Sequence, residues 1–184
     1  MTYHLCFPER RCATVDDLEP LQFITQAPTE NDARRKLDMT AQPLESELVF
    51  AGSRYTIFQP ILPIECKRLP TPVGKDRDKR EYVYSAQSTS GGIHRFKMGA
   101  HGAQHSFAAM IAYVQENTCA HWLGEVNGWI SALATSHGPL WSHSDELQIS
   151  TTEDASGVMR MKSRHTRANG RPAISLEHLW VQQE

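Results

Sequence analysis

The sequence is poor in cysteine and has no long apolar run. Its 184 residues include four cysteines, at positions 6, 12, 66 and 119. None of them forms a Cys-x-x-Cys pair, so neither a disulfide framework nor a four-cysteine zinc site is indicated. No apolar segment approaches the roughly 20 residues of a membrane-spanning helix, and the N-terminus does not resemble a secretory signal. These shortages predict a cytoplasmic globular protein with free thiols, no membrane association and no cofactor.

Positive charge is absent from one third of the chain. Residues 98–159 contain six acidic side chains and no lysine or arginine. Residues 66–97 carry eight basic and three acidic side chains, and residues 160–184 carry five basic and two acidic. The net charge is only −2 and the isoelectric point about 6.5, so the charge is segregated rather than unbalanced. Such segregation favours a protein that orients a charged partner.

Hydrophobic periodicity predicts an α+β fold, with antiparallel strands at both ends and a central helical pair packed on the sheet. The predicted elements before the C-terminus are a helix beginning near Thr29, a hairpin of 44–51 with 54–59, strands over 81–87 and 93–98, and helices near 103–117 and 120–135. We expect one domain over 1–184, with any subdivision near the exposed basic loop 69–80.

The last forty residues carry the clearest strand pattern. Extended segments over 146–152, 158–165 and 173–181 alternate, with the turn signal Asn169-Gly170 before the third. This register places Gln148 and Glu177 on either side of Lys162. The opposite face collects the apolar side chains Leu147, Ile149, Met159, Met161, Leu176 and Trp180. The two consistent faces predict a three-stranded antiparallel meander at the C-terminus.

Histidines of the 94–105 region are candidate catalytic or metal-binding residues. His101 and His105 have the spacing of a helical zinc pair, and His94 lies upstream. Gly102 stands where zinc proteases carry glutamate, and glycine disfavours the helix that such a pair requires. We therefore expect no metal site. A small hydrolase or nuclease that uses these histidines is the alternative function.

Residues 142–145 contain the residue types of a catalytic triad, Ser-His-Ser-Asp. Neighbours in sequence rarely adopt triad geometry, because the three side chains must converge from different directions. We expect this segment to cap the approach to the first C-terminal strand.

Two basic segments form the candidate partner-binding surface, one in the loop near residue 75 and one along a strand and its following turn. Their residues are Lys75, Arg77, Lys79, Arg80, Arg160, Lys162, Arg164, Arg167 and Arg171. Both a phosphate backbone and an acidic protein surface would be attracted. We expect Arg167 and Arg171 to project beyond the sheet at the turn.

An isoelectric point of about 6.5 is far below the value above 9 that is typical of nucleic-acid-binding domains. No assembled catalytic motif indicates an enzyme. The sequence therefore favours a non-enzymatic cytoplasmic binding protein, an inhibitor or accessory factor with a macromolecular partner. A protein partner, such as a nucleic-acid-handling complex, is favoured over nucleic acid itself.

Overall fold

A seven-stranded mixed β-sheet organises the structure. A computed structural model describes residues 5–6, 12–13, 21–29, 32–50, 53–75, 77–86, 91–151 and 157–183. In chain order the elements are β1 (Leu5–Cys6), β2 (Cys12–Ala13), β3 (Leu21–Thr25), β4 (Pro28–Thr29), β5 (Asp32–Lys36), β6 (Met39–Pro43), β7 (Glu47–Phe50), β8 (Ser53–Thr56), β9 (Leu62–Leu69), α1 (Gly92–Lys97), β10 (Phe107–Val114), α2 (Cys119–Ser136), β11 (Gln148–Thr151), β12 (Val158–His165) and β13 (Ile174–Gln182). The sheet order is β11-β12-β13-β10-β9-β6-β3, and the pairs β1–β2, β4–β5 and β7–β8 form two-stranded sheets.

The sheet is mixed rather than antiparallel, because β10 lies parallel to both of its neighbours, β9 and β13. We predicted a helix here, and that prediction is wrong. The segment reads Phe-Ala-Ala-Met-Ile-Ala-Tyr-Val, and Ala108, Ala109 and Met110 are all buried. A central parallel strand is apolar on both faces, so its sequence shows a continuous run instead of alternation. Periodicity alone cannot distinguish such a run from a buried helix.

The helical prediction is confirmed only for α2, which replaces the expected pair. The predicted strands over 81–87 and 93–98 are wrong, since residues 81–86 form turns and irregular structure, called the 81–86 turns below, and residues 92–97 form α1. Residue 87 lies outside the described residues. The helix predicted from Thr29 is also wrong, because β4 and β5 occupy this region. The predicted hairpin is confirmed as β7 paired with β8.

Backbone hydrogen bonds explain why α1 forms where a strand was expected. The N–H groups of residues 92, 93 and 94 donate to the carbonyls of residues 81, 82 and 83 at 2.9, 3.2 and 2.9 Å. These carbonyls satisfy the free donors at the start of the helix, which has no side-chain cap. The 81–86 turns and α1 therefore form one interlocked unit.

The C-terminal meander is confirmed in its register. Lys162 pairs with Gln148 on one side and with Glu177 on the other. An irregularity between Ile149 and Thr151 changes the end of β11, so Thr151 lies opposite Arg160. Ile149 was expected in the core, but half of its surface is exposed (50%).

Both helices lie on one face of the sheet and cover the main core, which contains Trp180, Phe96, Leu69, Met110, Ile130 and Leu133 among its largest side chains. A smaller apolar cluster of Ala41, Leu62, Ile64 and Ala109 lies on the opposite face. Over β11 and β12 that opposite face is polar and largely exposed. Neither helix in the described part of the chain combines the length and hydrophobicity needed to cross a bilayer.

The close approach of α1 to the preceding turns predicts an unusual sensitivity at Gly91. A Cβ atom there would lie 2.5 Å from the Cα of Tyr84, so backbone would have to move. We expect Gly91→Ala to lower the free energy of unfolding by about 1–3 kcal/mol, the usual cost of overpacking. Gly124→Ala is the matched control, because nothing lies within 4 Å of its position in α2. The free energy of unfolding of that control should rise by about 0.5–1 kcal/mol, because alanine is more favourable than glycine within a helix. Urea denaturation of both variants measures the difference, and equal effects would contradict the packing argument.

Candidate functional site: a buried polar chain and a basic sheet face

A chain of hydrogen-bonded polar side chains crosses the helix-covered face of the sheet. It joins α1, the 3₁₀ turn His143–Asp145, β12, β13 and the 81–86 turns. Its members are Lys97, Asp145, His165, Ser163, His178, Tyr82 and Trp180. Each is buried, and Ser163 is the most exposed at 7%. Strand alternation places Ser163 and His165 on the side of β12 that faces the helices.

The chain begins at a carboxylate and runs through two imidazoles. Oδ1 of Asp145 lies 2.8 Å from both Nζ of Lys97 and Nδ1 of His165. Oγ of Ser163 lies 2.6 Å from Nε2 of His165 and 2.8 Å from Nε2 of His178. The serine hydroxyl therefore bridges two histidines within a water-excluding core.

The far end of the chain fixes the direction of every hydrogen bond. The indole Nε1 of Trp180 donates to the Tyr82 hydroxyl at 2.8 Å, so this hydroxyl donates its own proton to Nδ1 of His178 at 2.7 Å. A neutral His178 then donates from Nε2 to Ser163, and Ser163 donates to Nε2 of His165. His165 finally donates from Nδ1 to Asp145. Every donor meets an acceptor, which is what buried polar groups require.

Burial keeps both histidines neutral. It lowers the pKa of His165, although the hydrogen bond to Asp145 opposes this shift. It lowers the pKa of His178 further, and the neighbouring His165 adds to the effect. Burial also lowers the pKa of Lys97, against the hydrogen bond and charge of Asp145. For Asp145, burial opposes ionisation, but the hydrogen bonds from His165 and Lys97 prevail and lower its pKa.

Asp145, His165 and Ser163 have the connectivity of a serine-hydrolase triad. Their placement differs from that of a nucleophile, because a substrate must reach the hydroxyl. Lys162, Ser163 and Arg164 all line an open depression, but alternation along β12 directs the Ser163 side chain to the other face, so its hydroxyl lies among the buried histidines. Both sides of the hydroxyl are occupied by histidines. The geometry is that of a structural network in the core.

Of the 142–145 segment, only Asp145 enters the buried chain. Its second carboxylate oxygen accepts from the Ser142 backbone N–H at 2.8 Å, and the Ser142 and Ser144 hydroxyls lie 2.7 Å apart at the surface. The expectation that this segment caps the approach to the first C-terminal strand is confirmed by the capping box of Ser142 and Asp145.

A second buried cluster surrounds the carboxylate of Glu65 on β9. Its Oε1 lies 2.6 Å from Nζ of Lys67 and 2.6 Å from a guanidinium nitrogen of Arg95. Nδ1 of His101 lies 3.0 Å from Oε2. Burial opposes ionisation, but His101 and the two cations outweigh it and hold the pKa of Glu65 at about 2. This cluster attaches the 95–101 segment to the sheet.

The three candidate histidines lie in different environments. His101 is buried beside Glu65, whereas His94 packs against the rings of Tyr84 and Trp141. His105 places Nε2 2.9 Å from a backbone carbonyl, that of Pro60. Within the described residues, no group of three or more His, Cys, Asp or Glu side chains could hold a metal ion. A role of these histidines in hydrolysis stays a prediction without an assembled site.

Sequence reasoning missed His165 and His178. A signal was present, since both occupy positions on the apolar faces of their strands, next to Met161 and Trp180. A histidine at such a position must be paired or displaced. The sequence does not reveal its partner, because Asp145 and Tyr82 come from distant turns.

The loop basic residues are divided between exposed lysines and paired arginines. Lys75 and Lys79 are exposed. Arg77 forms an ion pair with Glu81 at 2.7 Å, and Arg80 forms one with Asp78 at 2.9 Å. The Asp78 carboxylate also accepts from the backbone N–H groups of Arg80 and Ala86. Its hydrogen bonds, with that of the Arg80 side chain first, lower its pKa to about 2.

The expectation that Arg167 and Arg171 project beyond the sheet is wrong. Arg167 is buried, and its guanidinium donates to the backbone carbonyls of residues 102, 103 and 172 at 2.9, 3.2 and 2.7 Å. Arg171 is half-buried and packs against Gly99. Both side chains connect the turn between β12 and β13 to the 99–103 segment, Arg167 through hydrogen bonds to carbonyl oxygens and Arg171 through packing against Gly99. Asn169 and Gly170 adopt positive φ angles of 60° and 66° in this turn.

The β12 cations share the face of the sheet that is turned away from the helices. Lys162 and Arg164 are exposed and Arg160 is half-buried. The face forms a depression with a volume of about 540 Å³, lined by Phe107, Ser144, Glu146, Gln148, Ser150, Lys162, Ser163, Arg164, Ser175, Leu176 and Glu177. This depression is the open polar site that the candidate residues help to form.

No known protein family matches the chain, and no curated protein or solved structure resembles it significantly. Its function is therefore inferred from the geometry described above.

The buried histidines predict a stability that declines in acid. Their folded pKa values lie below the usual 6.5, so below that pH the unfolded chain binds more protons than the folded one. The free energy of unfolding should therefore fall as pH drops from about 6.5, by about 1.4 kcal/mol per pH unit for each neutral histidine. The fall should cease below the folded pKa. Urea denaturation between pH 7.5 and 5 measures it.

Two variants separate this effect from the general influence of pH. His178→Asn should reduce the pH slope, because one proton-binding group is lost. His121→Asn, at an exposed position of α2, should leave the slope unchanged. A parent protein with constant stability from pH 7 to 5 would show that the histidines are not held neutral.

The burial of Ser163 predicts resistance to serine-directed reagents. A fluorophosphonate probe should not label the folded protein. Ser163→Ala should lower the free energy of unfolding by about 1–3 kcal/mol, since the His178 N–H loses its acceptor. Ser144→Ala, at an exposed hydroxyl, is the control and should have little effect. Labelling that disappears specifically in Ser163→Ala would instead identify a nucleophile.

Proposed function

We propose that the chain is a non-enzymatic binding protein that uses the depression over β11–β13 to bind an acidic surface of a protein partner. The observation that supports this proposal is the alignment of Arg160, Lys162 and Arg164 on one strand face that neither helix of the described residues covers. Alternate residues of a strand lie about 6.6 Å apart. The three positive charges therefore form a row about 13 Å long, a spacing that suits alternating carboxylates of an extended segment.

The acidic residues at the depression offset the positive charge of this row only in part. Glu146 is engaged by the hydroxyl of Ser131 at 2.7 Å and by His143 at 3.2 Å. Glu177 lies opposite Lys162, and burial raises its pKa, although Lys162 and Arg160 oppose the shift. The exposed cations Lys162 and Arg164 therefore dominate the potential at the rim.

The remaining lining favours a peptide-like ligand over a phosphate chain. Hydroxyl and amide groups of Gln148, Ser150 and Ser175 stand beside the cations and can donate to carboxylates or accept from backbone N–H groups. Long rows of unpaired cations, which phosphate backbones require for tight binding, do not occur among the described residues of this face.

Charge reversal of the row tests the proposal. The probe is a fluorescent polyglutamate peptide, and binding is measured by anisotropy at low and at physiological salt. Lys162→Glu with Arg164→Glu should abolish binding, mainly through slower association. Lys75→Glu with Lys79→Glu changes the net charge equally at two exposed loop positions and should retain most of the binding.

A single-stranded oligonucleotide of equal charge provides the contrasting ligand. Tighter binding of the oligonucleotide than of the peptide, with a steep salt dependence, would indicate nucleic acid and overturn the choice of a protein partner. Equal loss in both double variants would show that net charge rather than the β12 row attracts the peptide.

A further inference from the structure

Strand β11 is an edge strand of the seven-stranded sheet and lies next to β12, which carries the basic row. Within the described residues it pairs with β12 and has no strand along its other side. All four of its residues are exposed, including the apolar Ile149. Exposed sheet edges offer unpaired N–H and C=O groups to another chain. β11 is therefore a structurally accessible position for an additional strand.

The end of this edge is defined by α2. The side-chain amide of Asn127 accepts from the Leu147 N–H at 2.9 Å and donates to the Leu147 carbonyl at 3.1 Å. Asn127 thereby satisfies the main chain immediately before β11, as a neighbouring strand would do. Main-chain groups open to a partner begin after this residue.

We propose that an extended, acidic segment of a protein partner adds to the sheet as a strand beside β11. This inference rests on the function proposed above and specifies how the partner binds. Side chains of an added strand alternate between the two faces of the sheet. Those on the open face would lie beside Gln148 and Ser150, with Lys162 opposite Gln148 on the next strand and Arg164 two residues further along β12, beyond the start of β11. Those on the other face would lie beside Ile149.

The spacing of the sheet allows these contacts. Neighbouring strands lie about 4.8 Å apart, so an added strand would lie about 10 Å from β12. A glutamate side chain and the long side chains of Lys162 or Arg164 can together span that distance. The partner segment therefore combines acidic residues at alternate positions with an apolar residue that covers Ile149.

A second copy of this chain fits the edge less well. β11 reads Gln-Ile-Ser-Thr and contains no acidic residue. Edge-to-edge pairing of two copies would place a second row of cations near Lys162 and Arg164, and like charges at a sheet edge oppose association. The charge of the edge therefore selects an acidic partner.

Three synthetic peptides test the mode of binding. The first is an eight-residue peptide of alternating glutamate and valine. The second has the same composition in two blocks, and the third is the alternating peptide with N-methyl groups at alternate residues. We expect the second and third to bind about tenfold more weakly, because they lose the side-chain alternation or the main-chain hydrogen bonds. Amide hydrogen exchange of residues 148–151 should slow only with the first.

Variants separate this inference from the proposed function. Ile149→Asn should weaken binding of the alternating peptide about fivefold or more, because it removes the apolar contact. Val49→Asn, at an exposed apolar residue of β7 (65%), is the matched control and should have no effect. Thermal denaturation confirms that both variants remain folded.

The outcomes distinguish the two proposals. In one outcome, the block and N-methylated peptides bind as tightly as the alternating one, and Lys162→Glu with Arg164→Glu removes all binding. Strand addition would then be wrong, but binding by the basic surface would be supported. If that charge reversal leaves the alternating peptide bound, both proposals fail. Slow exchange of residues 148–151 in a peptide-free dimer would assign the edge to self-association and overturn the inference.

Discussion

The buried Lys97–Asp145 pair and its two neutral histidines are the interaction on which the rest of the structure depends. Five separate pieces of chain supply this network: the 81–86 turns, α1, the 3₁₀ turn, β12 and β13. Each piece contributes a polar group that would be costly in the core by itself. Because the hydrogen bonds run in one direction from Tyr82 to Asp145, a replacement that lacks the donor or the acceptor of the original side chain leaves a neighbour unpaired. The network thus specifies how these pieces pack together.

The two faces of the sheet differ in composition. The helix-covered face contains the large apolar core and both buried ionic clusters. The other face is apolar over β6, β9 and β10 but polar over β11 and β12. β12 shows the division within one strand, since Ser163 and His165 belong to the core network while Lys162 and Arg164 belong to the open depression. Substitutions on alternate residues of this strand should therefore have different consequences.

Local patterns in the sequence were sufficient for the C-terminal meander and for α2. The meander combines a turn signal with strict alternation, so its register follows from neighbouring residues. The central strand β10 could not be identified in this way, because its burial on both faces depends on parallel partners far away in the chain. The same limit applies to α1, whose first donors are satisfied by carbonyls of residues 81–83. Arg167 was misplaced because its acceptors, the carbonyls of residues 102 and 103, are distant in sequence.

The amide of Asn127 has a consequence for where a strand can pair along this edge. By occupying both main-chain groups of Leu147, it closes the chain immediately before β11, so pairing with β11 would begin at Gln148. An extended ligand in that position would lie next to Lys162 on the neighbouring strand, which faces Gln148. The contact between α2 and Leu147 would therefore set the register of such a ligand, because it fixes the first residue with which the ligand can pair.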